Sequence, residues 1–137
     1  MNIQDLLKQL EKLNLPKDQY IIVGSGPLGI RNIRISDDLD VLVTETLWEE
    51  LKKKHPLTKT KPVENIDFGK VQLMGHGSLF LDDSIASFEE MLKTADIFYN
   101  HKFVNLTLLR KFKQKQARDK DLKDIRLIDE YLFQKGT

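Results

Sequence analysis

The chain has 137 residues, 40% of them hydrophobic and 31% charged, with a formal net charge of +1. That length fits a single domain over residues 1–137, able to withdraw about two thirds of its unfolded surface from water, and the balance excludes wholesale disorder. There is no cysteine, which excludes disulfides, zinc–thiolate sites and cysteine nucleophiles.

No run reaches the roughly 20 apolar residues of a membrane span. The opening residues lack a charged cap followed by an apolar core, so no signal peptide is expected and the cytoplasm is the expected location. Near-neutral charge demands no polyanionic partner.

Residues 2–14 carry Ile3, Leu6, Leu7, Leu10 and Leu13 at helical spacing, with Asn2 placed to cap and Pro16 beyond the end. An amphipathic helix covering a core face is expected there. Tyr20–Val23 is short, apolar and β-branched, the pattern of a buried strand. Gly24-Ser25-Gly26-Pro27-Leu28-Gly29 follows, then a short helix or irregular crossover through Ile35, then a second strand at Leu39–Val43. Thr44 caps a helix to about Lys54, with Leu47, Trp48 and Leu51 inward. Its closing lysines suit the helix dipole.

Thr58–Lys61, ahead of Pro62, reads as an edge strand or loop. Ile66–Met74 reads as a hairpin turning near Phe68-Gly69. Gly75–Ser78 is a loop. Either Asp83 or Ser84 opens the next helix, or Ser87 and Glu90 form a capping box further on. A β-prone segment covers Ile97–Val104. Residues 105–116 and 119–134 are helical, the second packing through Leu122, Ile125, Ile128 and Leu132. This mixture of helices with a small mixed sheet is an α/β (α+β) arrangement.

The glycine turn fits two readings. Gly24-x-Gly26-x-x-Gly29 after a strand matches the dinucleotide fingerprint, with Glu45 near the position of the ribose-binding acid. Three features oppose it. Only Ile30 to Asp37 separate the turn from the next strand's carboxylates, too few for a crossover helix. Pro27 lacks the N–H that a pyrophosphate needs. Repeated βαβ units are missing.

The second reading uses Asp38 and Asp40. Side chains two apart on a strand share a face, so both carboxylates converge on one cation position. A strand ending in Gly24-Ser25, then Asp38-Leu39-Asp40 entering Val41, resembles the signature of the DNA polymerase beta-like nucleotidyltransferase superfamily. The resemblance implies a nucleotidyltransferase-like small mixed sheet flanked by helices. It also implies that Gly24 and Ser25 hold a triphosphate while Asp38 and Asp40 hold magnesium. The chemistry is coherent, since small residues admit phosphate oxygens to backbone N–H groups and magnesium prefers carboxylate and phosphate oxygen. The plain alternative is a turn that recruits aspartate.

Active members supply a third carboxylate from a later strand. If Ile66-Asp67-Phe68 is that strand, the third acid is Asp67; if Lys70–Met74 is, the position falls on neutral Gln72. The second alignment is preferred, and it would keep nucleotide and metal binding while weakening deprotonation of an acceptor.

Arg110 to Lys120 holds six cations in eleven positions, and Lys113-x-x-x-x-Arg118-x-Lys120-Asp121-x-x-Asp124-Ile125 is similar to a basic helix-turn-helix of small bacterial nucleotidyltransferase-like proteins, including ones related to abortive-infection and toxin–antitoxin systems. That resemblance implies nucleotide-binding roles for Lys113, Arg118 and Lys120. The plain alternative is a solvated face in which Lys120 pairs with Asp124. His55, His76 and His101 have no metal-ligand spacing, and Ser25 lies in no nucleophile elbow.

The expectation is magnesium-dependent transfer of a nucleoside monophosphate from ATP or another nucleoside triphosphate to an acceptor hydroxyl. The rival is a non-catalytic nucleotide-binding or regulatory module, antitoxin-like, with a protein partner. Few interleaved aromatics argue against nucleic acid as a partner.

Overall fold

The computed structural model describes residues 2–60, 63–75 and 81–136. The first helix, α1 (Ile3–Glu11), begins where Asn2 and Asp5 cap each other's backbone N–H groups and buries Leu6, Leu7 and Leu10. Such a reciprocal cap satisfies two donors that have no partner inside the helix.

Strand β1 (Tyr20–Val23) is wholly buried and pairs antiparallel with β2 (Leu39–Val43), Val23 opposite Asp40. Between them α2 (Gly26–Gly29) is one turn long. A dinucleotide unit needs parallel strands joined by a full helix, and neither is present here. Helix α3 (Glu45–Lys54) is capped by the Thr44 hydroxyl and buries Trp48.

The edge strand β3 (Thr58–Thr60) and the hairpin β4 (Val63–Phe68)–β5 (Val71–Met74) fall where the alternation placed them. Their turn rests on Gly69, whose φ is +63°.

Two predicted boundaries move. Residues 82–86 are not helical, because Asp82 accepts from the Ser84 N–H and hydroxyl, at 3.0 and 2.6 Å, and closes a local turn. Short polar side chains compete with the helix in this way. Helix α4 (Phe88–Lys93) starts instead at the Ser87 cap, whose hydroxyl accepts from Glu90 N–H. The predicted β segment Ile97–Val104 is a hairpin, β6 (Asp96–Phe98) and β7 (His101–Phe103), folded over Tyr99 and Asn100, both at positive φ. Paired positive-φ residues match the twist of a tight hairpin.

Helices α5 (Leu106–Gln116) and α6 (Asp119–Gly136) close the chain as an antiparallel pair. Asn105 caps α5, and Ala117 takes the left-handed conformation between them.

The seven strands run β3-β4-β5-β2-β1-β7-β6, with β2·β5 and β1·β7 parallel and the other pairs antiparallel. Strand alternation divides the core into two layers. Tyr20, Ile22, Leu39, Val41 and Val43 face α1 and α3; Ile21, Val23 and Leu42 face the opposite layer with Leu109, Phe112 and Ile128. This is an α/β domain with helices on both faces of a mixed sheet. Asp40, between Leu39 and Val41, therefore faces the α5–α6 side.

The buried stripe of α6 differs from the apolar pattern. Ile125 and Ile128 are buried, but Leu122 and Leu132 are 47% and 39% exposed, and Asp121 and Asp124 take buried positions beside them. The reason lies in their partners.

Candidate functional site

The end of β1 delivers Gly24, the start of β2 delivers Asp38 and Asp40, β5 delivers Gln72, and the α5–α6 junction delivers Lys113, Arg118 and Lys120. All of these, with Ser25, line one cleft of about 400 Å³. Arg34, Asp37 and Asp124 complete its lining.

Gly24 has φ +66°, and a Cβ there would overlap the Asp40 carboxylate, with Asp40 Cβ and Cγ both at 3.2 Å. Only glycine meets both demands at little cost. The neighbouring Ser25 hydroxyl lies 2.7 Å from that of buried Ser36, which donates to the Asp38 carbonyl at 2.8 Å. Because Ser36 spends its single proton on that carbonyl, Ser25 is the donor in the first bond. The pair ties the glycine turn to the backbone that carries Asp38.

Burial, reinforced by the charge of Asp38 and opposed by Lys120 and Lys113, raises the Asp40 carboxyl to about 6. A carboxylate held at that level is poised to gain a compensating cation.

The opposite wall is a buried ion network. Lys113 has a side chain only 6% exposed, with its Nζ 2.8 Å from Asp124 Oδ2 and 3.7 Å from Asp121 Oδ1. Arg34 grips Asp124 with both arms of its fork, Nε to Oδ1 at 2.7 Å and Nη2 to Oδ2 at 3.1 Å. Arg118 donates to Asp121 from its backbone N–H and its side chain. Burial pushes both aspartates up, yet hydrogen bonds from Arg118 to Asp121 and from Arg34 and Lys113 to Asp124 outweigh it. Both carboxyls fall below their ordinary range. Planar guanidinium–carboxylate pairing suits such sites.

Four carboxylates and four cations thus line the cleft. Lys120 is the one cation of the four without an ion-pair partner among the described residues. The Lys120–Asp124 pair of the plain alternative does not form, because Asp124 is engaged by Lys113 and Arg34. Outside the cleft, Arg110 pairs with Asp129 and Lys115 with Asp82, so the cationic run divides between site and surface.

Gln72 lies beside Asp40 on the parallel strand β5 and lines the cleft. Asp67 lies one strand further out, opposite Gln72, exposed, and accepts from Asn65 Nδ2 at 2.7 Å. It shares the sheet face of Asp40 but does not line the cleft.

Arg34, and the burial of Asp121 and Asp124, were not expected from the sequence. Their signal was the position of Asp121 and Asp124 on the same helical stripe as Ile125 and Ile128. Of the histidines, buried His101 bonds Tyr20 at 2.7 Å and Glu11 at 3.0 Å, away from the cleft. His55 packs edge-on against Phe68, and His76 lies outside the described residues. No family model matches the chain, and no curated protein matches it.

Proposed function

We propose that this cleft binds a nucleoside triphosphate together with magnesium, and that the chain is a nucleotidyltransferase-fold protein of the DNA polymerase beta-like kind. Its reaction would be transfer of a nucleoside monophosphate to an acceptor hydroxyl. The observation that carries this reading is convergence. A glycine-serine turn, two carboxylates at the start of β2 and the unpaired Lys120 meet in one cleft from segments about 90 residues apart in sequence.

The donor set suits magnesium. Asp38 and Asp40 offer hard oxygen, and the cleft lining contains neither imidazole nor thiol. Among the described residues no group of three acidic, histidine or cysteine side chains is placed to hold a metal. Magnesium accepts such sparse sites because phosphates and water complete its shell. When bound it would neutralise charge on the phosphates.

The chain's own residues have distinct parts. Gly24 and Ser25 give phosphate oxygens close access to backbone, Lys120 offsets their charge, and the Arg34–Asp124–Lys113 network holds the far wall in place. Positioning and charge neutralisation are the main contributions such a site makes to phosphoryl chemistry.

Gln72 favours a second reading, a nucleotide-binding or regulatory module without catalysis. A carboxamide cannot take a proton from an acceptor hydroxyl. Thermal unfolding with each nucleoside triphosphate, with and without magnesium, separates these proposals from their failure. Binding to the native state raises the midpoint, and a doubly substituted Asp38→Asn, Asp40→Asn protein should lose the magnesium-dependent part. An equal shift in that variant, or no shift with any triphosphate, would remove the site. Label transfer from nucleotide to an acceptor then distinguishes the enzyme from the binding module.

A further inference from the structure

Next to the cleft is a second hollow of about 410 Å³, reached across Arg34, which lines both. That volume lies in the range of small-molecule sites, about 300–1,000 Å³. Its lining is unlike that of the cleft. Ile3 and Ile35 supply apolar surface, Asn2 and Asn32 supply amides, and no carboxylate contributes.

The wall between the two hollows is pinned at both ends. Arg34 chelates Asp124 and donates from Nη1 to the Ile35 carbonyl at 3.0 Å. Ser36 is buried and bonded to Ser25 and to the Asp38 carbonyl. Held between them, Ile35 stands 78% exposed. One exposed isoleucine is ordinary. An aliphatic side chain fixed on the rim of a hollow, beside two amides, is a surface prepared for a flat amphiphilic group.

Asn32 holds a left-handed backbone, φ +59°, and its side chain makes no hydrogen bond among the described residues. The Asn2 side-chain oxygen caps α1, which leaves its NH₂ group to donate. An amide carries both donor and acceptor atoms and so can complement the edge of a nucleobase, while aliphatic carbon covers its face.

We infer that this second hollow takes the base of the nucleotide whose phosphates lie in the cleft. The inference rests on the triphosphate reading above and adds the place where base recognition occurs. Phosphates are held by Gly24, Ser25 and Lys120 on one side of Arg34. The base sits on Ile35, with Asn32 at its edge, on the other.

The experiment is calorimetric titration of the full chain, in magnesium, with ATP, GTP, CTP, UTP and inorganic tripolyphosphate. The same series is run on Ile35→Ala and Asn32→Gly. Both variants are compatible with the fold, since Ile35 is solvent-facing and glycine accepts a positive φ. The expected result is that at least one nucleotide binds about tenfold or more tightly than tripolyphosphate. Each variant should then lose about tenfold for that nucleotide, the scale of one contact, with unchanged affinity for tripolyphosphate.

Tripolyphosphate binding as tightly as all four nucleotides would overturn the base assignment while leaving the phosphate site standing. So would variants that weaken both ligand types equally, or neither, as expected if the second hollow receives the acceptor instead. Absence of binding by every ligand would overturn the underlying reading, and this one with it.

Discussion

Replacing Asp40 by Asn should make the protein more stable at neutral pH, against the usual trend of substitutions. In the folded chain burial and the Asp38 charge raise this carboxyl from 3.8 to about 6. Its protonated form therefore favours the folded state. The contribution is present in full below pH 3.8 and is lost as pH rises through 6. A rise of about two units corresponds to roughly 3 kcal/mol at about 1.36 kcal/mol per unit. That figure is an upper value, because Asp40 keeps some solvent access. Asparagine has nearly the same shape and never ionises. The difference between variant and parent should be near zero at pH 4, grow through pH 6, and level off near 2–3 kcal/mol at pH 8.

For a chain of this length that is a rise in midpoint of roughly 6–15 °C. Urea unfolding of both proteins at five pH values, in EDTA, measures it; subtracting the curves cancels the titrations they share. A variant no more stable than the parent at pH 8, or a gap that ignores pH, would refute the reasoning. Adding magnesium should close the gap from the parent's side, since only the parent keeps both carboxylates.

Other outcomes follow from the same geometry. Asp124→Asn leaves Lys113 buried with only the longer Asp121 contact and frees the Arg34 fork, so a loss of about 3 kcal/mol is expected in urea unfolding. Gly24→Ala forces a side chain into the left-handed region and against the Asp40 carboxylate. Stability should fall by at least about 1–2 kcal/mol, with a larger loss of magnesium-dependent nucleotide binding. Asp67→Asn should leave that binding unchanged, whereas Gln72→Glu, adding a carboxylate beside Asp40, should strengthen it; the reverse ranking would place the metal nearer β4.

Which features the sequence disclosed depends on how local their causes are. β1 and β2 were legible because two short, mostly apolar and β-branched runs leave few other arrangements. The face of Asp40 was legible for the same reason, since strand alternation sets it without reference to the rest of the chain, while Asp38 lies just ahead of β2. The β6–β7 hairpin was not, because its turn uses Tyr99 and Asn100 and carries no glycine to mark it. The buried aspartates of α6 were hidden more deeply. Hydrophobic periodicity assigns an aspartate to solvent, and the approach of Arg34 across 90 residues, together with Lys113, makes Asp124 an interior residue. Leu122, the apolar residue the pattern favoured, is displaced outward by that arrangement. Which of Asp67 and Gln72 lies beside Asp40 depends on which strand of the hairpin lies against β2, a matter of sheet order that no local signal contains.

The long separation between Arg34 and Asp124 also bears on the order in which the molecule forms. The β1–β2 and β4–β5 pairs join neighbouring segments, whereas docking α5–α6 closes a loop of about 90 residues, and contacts across so long a loop are expected to form last. Until that docking, Asp40 remains hydrated and its repulsion by Asp38 is weak. The electrostatic penalty is therefore expected to fall due after the sheet has formed, on the native side of the folding barrier. The stability gained by Asp40→Asn should accordingly appear as slower unfolding, with the refolding rate nearly unchanged. The site proposed for a cation would thus also shorten the lifetime of the fold without one.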